Sequence, residues 1–233
     1  SNATSLASAD ECTYADPGFY APTGSVNQIK CAIGTVTATK GKGECAPCEP
    51  GTFQSMQGQT ACMNCTDGYY CVAQSSAPLP CPGGTTKRIG VVMTSKEDCS
   101  DCTVGEYCSV GSAKATNCSA GTYNDLVRQE KCFSCSAGTY QDEEGATACK
   151  TCPPGAYCPS SSTAPLLCVG GTYANTTSLT AAHGCQPVPP GYWSSTGSAL
   201  PIRCPTNGFT CPGAAADTVN DPPGSLPIEL AVG

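Results

Sequence analysis

The sequence has few of the side chains from which a globular core is built. Leu, Ile, Val and Phe together number 30 of the 233 residues, about 13%, whereas a chain below roughly 20% normally stays disordered. Burial of so little apolar surface does not offset the entropy that the chain loses on folding. An ordinary globular core is therefore excluded, and another stabilising force is needed.

Several functional classes also lack the residues that they would need. No apolar run approaches the roughly 18 residues of a membrane span, and the 11 basic residues are scattered over an acidic chain of net charge −7. Nucleic acid, heparin-like chains and anionic membranes are therefore poor partner candidates. The only histidine is His183, and no nucleophile elbow, phosphate loop or zinc-protease motif is present. We expect no enzyme activity, no cofactor and no direct membrane insertion.

What the chain has in abundance is cysteine. Its 21 Cys make up about 9% of the residues, close to the level that is typical of a disulfide scaffold. Disulfides persist in oxidising compartments and stabilise modules that cannot build a sufficient core. This usage predicts an extracellular, cell-surface or secretory-pathway location.

The cysteines follow a repeating spacing. In "CKTCPPGAYCPSSSTAPLLC" (149–168) four cysteines are separated by two, five and nine residues, and the same spacing recurs at 62–81 and 99–118. Two further segments, 12–31 and 185–204, align with these without gaps but lack the second and third cysteines. The missing positions hold Ala15 and Ala21 in the first segment, and Val188 and Ser194 in the other.

The joint loss indicates that the second and third cysteines are bonded to each other. Loss of only one of them would leave a free thiol in an oxidising medium. The intervening loops contain thirteen or a few more residues and pair sequentially by the same alignment, and Cys204–Cys211 closes a final small loop. The predicted bonds are Cys65–Cys71, Cys102–Cys108, Cys152–Cys158, Cys31–Cys45, Cys48–Cys62, Cys81–Cys99, Cys118–Cys132, Cys135–Cys149, Cys168–Cys185 and Cys204–Cys211.

One cysteine, Cys12, is left unpaired by this scheme. It is equivalent to Cys149, whose partner lies fourteen residues upstream. We therefore expect the partner of Cys12 to precede the present chain, which begins with "SNA", typical of a scar left by cleavage of a tag.

A longer period of 86–87 residues divides the chain. It predicts a scar and linker at 1–11, a first super-repeat at 12–98, a second at 99–184, a truncated third repeat at 185–213 and a linker tail at 214–233. The long loops begin with Gly, Thr and an aromatic residue, which favours a turn followed by a short strand. We predict a small, disulfide-rich, mostly β fold: an elongated rod of short disulfide-closed hairpins with almost no helix.

The stretch "CSAGTYNDLVRQEKCFSCSAGTYQDEEGATACKTCPPGAYC" resembles the ephrin-receptor-like cysteine-rich repeat, within the growth-factor-receptor cysteine-rich group. The resemblance covers roughly residues 12–204. It implies a segment of a larger secreted or membrane-anchored protein that acts as a spacer and a protein-interaction surface, in adhesion or as a receptor, with another extracellular protein as partner. The short loops look most like those of apicomplexan cysteine repeat modular proteins, which implies a part in host-cell invasion.

Two other interpretations stay open at this point. One is a ligand-binding fragment of a receptor ectodomain with a defined protein partner. The other is a set of structural zinc sites, because the sets Cys45/Cys48/Cys62/Cys65 and Cys132/Cys135/Cys149/Cys152 have the spacing of zinc modules with four cysteine ligands. Zinc would leave the remaining cysteines and the joint losses unexplained.

The sequence also contains candidate contact and modification sites. Trp193, the only tryptophan, follows Tyr192 in the copy that lacks its short-loop bond, and we expect an exposed anchor and a less constrained joint there. Phe209 is a further candidate contact. Asn175, Asn64 and Asn117 fit the N-glycosylation pattern, and Asn175 is the best of them because the other two are followed directly by a bonded cysteine.

The pairing predicts the thiol content of the protein. Folded chain made under oxidising conditions should show one reactive thiol before reduction and twenty-one after it. Thiol titration with intact-mass measurement checks this, and many free thiols, or bound zinc in stoichiometric amount, would contradict the pairing.

Overall fold

The computed structural model describes residues 12–205, 209–211, 213 and 228–229, the last pair and Phe209 by their backbone. In this part of the chain the secondary structure is a series of two-stranded sheets, each made of two strands consecutive in sequence. The strands, almost all of them two residues long, are paired as β1 Phe19–Tyr20 with β2 Ile29–Lys30, β3 Thr35–Val36 with β4 Ala46–Pro47, β5 Thr52–Phe53 with β6 Met63–Asn64, β7 Tyr69–Tyr70 with β8 Leu79–Pro80, β9 Thr85–Lys87 with β10 Cys99–Asp101, β11 Glu106–Tyr107 with β12 Thr116–Asn117, β13 Thr122–Tyr123 with β14 Phe133–Ser134, β15 Thr139–Tyr140 with β16 Lys150–Thr151, β17 Ala156–Tyr157 with β18 Leu166–Leu167, β19 Thr172–Tyr173 with β20 Gln186–Pro187, β21 Tyr192–Trp193 with β22 Ile202–Arg203, and β23 Phe209–Thr210 with β24 Ile228–Glu229.

Within the described residues, the helical structure consists of two 3-10 turns, Lys96–Asp98 and Ala182–Gly184, and of the single residue Gly213. Each turn lies just before the second cysteine of one of the two longer loops. The prediction of a small, mostly β, disulfide-rich fold with almost no helix is therefore confirmed. The pairing of Ile228–Glu229 with Phe209–Thr210 differs from the expectation that the whole tail is a linker.

Ten disulfides close the loops. They join the same ten cysteine pairs that the repeat alignment indicates, with Cα–Cα distances from 5.6 to 6.3 Å, and Cys12 is free and exposed. Most half-cystines are almost fully buried. Since isolated two-stranded hairpins are marginal in water, the cystines take the place of an apolar core.

A glycine with positive φ precedes the first strand of most hairpins and ties it to the next hairpin. Gly34, with φ of 76°, donates its N–H to the carbonyl of Gln54 at 2.7 Å and accepts from the N–H of Cys48 at 2.9 Å. A Cβ at Gly34 would overlap the carbonyl oxygen of Gln74. Glycine is needed here both for the left-handed backbone and for this close approach. The same donation to the following hairpin is made by Gly18, Gly51, Gly84, Gly105, Gly121, Gly138, Gly155, Gly171 and Gly191.

The third residue after this glycine is buried in most hairpins, although Ala21 and Lys87 at this position are half-buried. It is a half-cystine in the short-loop copies, such as Cys158, and a polar or small residue in the others. The amide of Gln54 donates to the carbonyl of Ala61 at 2.8 Å, and that of Gln141 donates to Ala148 at 2.7 Å. Each of these two side chains thus forms a hydrogen bond across its own loop. The buried residues at this position are Thr37, Gln54, Cys71, Cys108, Asn124, Gln141, Cys158, Ala174, Ser194 and Cys211.

A second left-handed position recurs in the loop between the two strands. Its N–H donates to a carbonyl two hairpins earlier, as Gly58 does to Cys31 at 2.9 Å and Ser161 does to Cys135 at 2.8 Å. Among the described residues four non-glycine residues have positive φ, and all four stand at this position: Gln74, Arg128, Ser161 and Ser178. The hydrogen bond to the earlier carbonyl is therefore formed even at the four positions where a side chain makes the left-handed backbone conformation energetically costly.

The chain divides into two compact units. Unit 1 comprises residues up to Cys102 together with Cys108–Thr116 and Arg128–Glu130, and unit 2 comprises Thr103–Tyr107, Asn117–Val127 and the chain from Lys131 onwards. Each unit is a series of hairpins with the bonds described above. The division into super-repeats at 12–98 and 99–184 stays a prediction.

Two glycines of unit 1 test the importance of close approach. Gly34 and Gly24 have similar positive φ, but a Cβ at Gly24 would have nothing within 4 Å. Gly24→Ala should cost about 1 kcal/mol from backbone strain alone. Gly34→Ala should cost clearly more, because the Gln74 carbonyl must also move, and its melting temperature should be the lower of the two. Equal melting temperatures would show that the approach contributes little.

Candidate interaction surface

The hairpin β21–β22 carries the predicted contact residues. Trp193 stands directly opposite Ile202, and Tyr192 stands opposite Arg203. The preceding Gly191 accepts from the N–H of Cys204 at 2.9 Å, which holds the two strands together. The aromatic pair thus sits on a hairpin built like the others, although its short-loop bond is missing.

The joint at this hairpin differs from the expectation of a less constrained one. Val188 and Ser194, which replace the two cysteines, are 3% and 0% exposed. The Ser194 hydroxyl donates to the carbonyl of Thr172 at 2.9 Å, and the Ser194 carbonyl accepts from Gly171 at 2.9 Å. Burial and hydrogen bonds therefore replace the covalent link.

The two aromatic rings differ in exposure. Trp193 is half-buried rather than fully exposed, and its indole Nε1 is buried without a hydrogen-bond partner among the described residues. Tyr192 is exposed, as are Leu200 and Ile202. Because neighbouring strand residues point to opposite sides of a sheet, Tyr192 lies on the side of Arg203 and Trp193 on the side of Ile202. The side chain of Phe209 lies outside the described residues.

A second exposed apolar element is the loop after β9. Ile89 is 96% exposed and Val92 is 68% exposed. Met93, the next residue of the same loop, is buried. Asp98 stabilises the C-terminal end of this loop. Its carboxylate accepts hydrogen bonds from the N–H and the hydroxyl of Thr94, both at 2.8 Å. These bonds, and one from the N–H of Ser95, lower the pKa of Asp98.

The three glycosylation sequons among the described residues lie in different settings. Asn175 is exposed in the loop that follows β19, and Thr176 and Thr177 after it are exposed as well. Asn64 and Asn117 are also exposed but lie at the ends of β6 and β12, each directly before a half-cystine. Of these three, the Asn175 sequon alone is free of strand pairing and of a bonded central residue.

The structure contradicts the zinc interpretation of the cysteine pairs. Cys48 is bonded to Cys62, Cys45 to Cys31 and Cys65 to Cys71, so none of the four offers a thiolate. The corresponding cysteines of the second set are bonded in the same manner. Zinc needs four deprotonated sulfurs around one ion, whereas these sulfurs are all committed to disulfide bonds. Among the described residues no group of three or more His, Cys, Asp or Glu side chains could hold a metal.

A comparison with known families matches the centre of the chain. Residues 121–168 match the family described as tyrosine-protein kinase ephrin type A/B receptor-like. Residues 121–168 therefore resemble an ephrin-receptor-like cysteine-rich repeat. This confirms the resemblance for three hairpins, β13–β14, β15–β16 and β17–β18. No curated protein matches the chain.

The ephrin-receptor-like segment shows the hairpin bonds with high regularity. Gly121 donates to Gln141 and Gly138 donates to Cys158, each at 2.7 Å. Lys150 pairs with Asp142 at 2.6 Å and with Glu143 at 3.2 Å at the surface of β16. The Lys150 ammonium lowers the pKa of Asp142, and both carboxylates raise the pKa of Lys150. The acidic stretch is therefore a partly neutralised hairpin surface.

The buried polar residues of the repeat were not predicted from the sequence. Asn124, in the ephrin-receptor-like segment, is 0% exposed, and its amide donates to the carbonyls of Glu106 at 2.9 Å and Lys131 at 3.3 Å. A signal was available, because Asn124 and Gln141 align with Cys158 when the repeats are superposed on their glycines. The exposed Ile89 was missed because its loop has no counterpart in the shorter copies.

Proposed function

We propose that this chain is an extracellular repeat segment of a larger cell-surface or secreted protein, acting without catalysis as a spacer and as a protein-interaction surface. The many disulfides and the receptor-like family of residues 121–168 indicate the extracellular setting. Within the described residues, no helix has the length and apolar character to cross a membrane.

The observation that carries the proposal is the placement of the aromatic side chains. Cystines and main-chain bonds hold the hairpins, so many aliphatic side chains and Tyr192 are left exposed. Trp193 stands opposite exposed Ile202, and Tyr192 stands opposite Arg203. Such aromatic residues dominate the binding energy of protein interfaces. An adhesive contact at β21–β22 is the form of the interaction that these side chains support.

A receptor ectodomain fragment with one defined partner is the second candidate. The match of residues 121–168 to a receptor-like family favours it. A part in host-cell invasion is supported only by the likeness of the short loops to apicomplexan proteins. Both are narrower forms of the same extracellular binding role.

Substitutions at β21–β22 test the interaction. The folded chain is immobilised and used to capture proteins from extracellular material, with Trp193→Ala and Tyr192→Ala beside it. Each variant should weaken capture by about tenfold or more, since interface aromatics contribute upwards of about 1–2 kcal/mol. Tyr70→Ala is the matched control, because Tyr70 has the equivalent position opposite Leu79 on β7–β8. Unchanged capture by Trp193→Ala and Tyr192→Ala, or equal weakening by Tyr70→Ala, would contradict the proposal.

We also infer that Asn175 carries an N-linked glycan in a secreted form of the chain. Its sequon is exposed and free of a bonded cysteine. Expression in secretory cells should yield a mass that falls on glycosidase treatment, and Asn175→Gln should abolish that fall. Asn64→Gln and Asn117→Gln are the controls and should leave it intact. A glycosidase-insensitive mass for the unsubstituted chain would show that the site is unused.

A further inference from the structure

The loop after β9 lacks a main-chain hydrogen bond that the other loops of the repeat make. In each of those loops a residue with positive φ donates its N–H to a carbonyl of an earlier hairpin, at 2.7 to 3.0 Å. The order of the hairpins assigns the carbonyl of Cys65 to the loop after β9, yet among the described residues no N–H of that loop is bonded to it. The donors in the other loops are Gly41, Gly58, Gln74, Gly111, Arg128, Gly145, Ser161, Ser178 and Gly197.

An additional residue accounts for the missing bond. The half-cystines that close this loop are separated by 18 positions, whereas those of the related loop after β19 are separated by 17. In the shorter loop Ser178, with φ of 64°, donates its N–H to the carbonyl of Cys152 at 2.9 Å. In the longer loop Gly90 has the left-handed conformation, with φ of 75°, but a Cβ on it would have nothing within 4 Å. The turn at Gly90 therefore projects away from the earlier hairpin.

The projecting turn has little to hold it. Its main-chain bond is internal, from the N–H of Val91 to the carbonyl of Arg88, and at 3.4 Å it is longer than the usual 2.9–3.0 Å. Arg88, Ile89 and Gly90 are all exposed. The chain is fixed again at Val92, whose side chain lies against Gly51. We call residues 88–91 the free turn. Exposed loop segments of this kind open locally at low cost and are preferred sites of proteolytic cleavage.

The free turn follows the one pair of adjacent basic residues in the chain, Lys87 and Arg88. Lys87 ends β9 and forms an ion pair with Asp67. Arg88 has no ion pair among the described residues. Proteases with a carboxylate in the specificity pocket cleave after arginine or lysine. The exposed Arg88 side chain is therefore available to such a pocket at the start of a poorly held main-chain segment.

Lys114 is the nearest rival among the other basic residues. It is exposed, but the carbonyl of Ser112 before it accepts from the hydroxyl of Thr86 at 3.0 Å, and β12 begins at Thr116 after it. Too few residues lie between these two fixed points to form a comparable free turn. The other described basic residues lie in strands, in a 3-10 turn or next to a bonded main-chain group, and they are Lys30, Lys40, Lys42, Lys96, Arg128, Lys131, Lys150 and Arg203.

We propose that the peptide bond between Arg88 and Ile89 is a processing site, at which a serine protease specific for basic residues cuts the folded chain. Water adds across this bond: the C–N bond breaks, the new carboxylate belongs to Arg88 and the new ammonium group belongs to Ile89. The disulfide Cys81–Cys99 spans the cut. Residues 1–88 and 89–233 therefore stay covalently joined, and the product is a two-chain form of the protein. This proposal does not depend on the interaction proposed for β21–β22.

Brief digestion of the folded, oxidised chain with dilute trypsin tests the site. The first cut should leave one species that has gained the mass of one water. After reduction this species should separate into two fragments, the larger of which begins with the sequence "IGVVM". Arg88→Gln should slow the first cut by about tenfold or more, because cleavage of a folded chain follows the population of the locally open form and the other basic sites open less readily. Lys114→Gln is the matched control and should leave the rate unchanged.

Hydrogen exchange tests the missing bond without a protease. The amide of Val91 should exchange at least about tenfold faster than the amides of Ser178 and Gln74, which are bonded to earlier hairpins. Equal protection of the three amides would show that the free turn is held as firmly as the other loops.

Three results of the digestion would overturn the processing site. The first is an initial cut after Lys114 or another basic residue, the second is an unchanged rate for Arg88→Gln, and the third is separation of the fragments without reduction. Loss of the proposed interaction at β21–β22, with the cut at Arg88 retained, would contradict the proposed function and leave the processing site standing. Retained capture by a chain that trypsin does not cut at Arg88 would have the opposite meaning.

Discussion

The close approach of one hairpin backbone to the next is the constraint on which the rest of this structure depends. A glycine with positive φ donates its N–H to the following hairpin, as Gly34 does to Gln54 at 2.7 Å, and leaves no room for a Cβ. Because the bonds join main-chain atoms, they are independent of the side chains at the surface. The hairpins can therefore vary in sequence while the spacing between them is kept.

The cystines and the buried polar residues fill the same buried position of the hairpin. The third residue after the glycine is Cys158 in one hairpin, Gln141 in another and Ser194 in a third, and each is 3% exposed or less. A disulfide, an amide bonded within the loop and a hydroxyl bonded to the preceding hairpin each fill this position. Loss of a short-loop disulfide therefore does not open the joint, since Val188 and Ser194 are buried in its place.

Because the fold does not need an apolar core, many apolar side chains are exposed at the surface. A chain with so few apolar residues would ordinarily use them in a core, yet Ile89, Leu167 and Leu200 are more than half exposed. Cross-links provide the stability that a core would otherwise supply. The aliphatic side chains are consequently available for partners.

The sequence by itself determined the fold class and indicated the loop closures, because paired cysteines are lost together and a free thiol is costly in an oxidising medium. It also marked the glycines, since a glycine followed by threonine and an aromatic residue recurs at the start of the long loops. Only the tertiary structure decided which residues are neighbours in space. Examples are the burial of Asn124, the half-burial of Trp193 and the pairing of Ile228–Glu229 with Phe209–Thr210. Each depends on where neighbouring strands and loops lie. Main-chain hydrogen bonds set that placement, and most side chains do not indicate which main-chain groups are bonded.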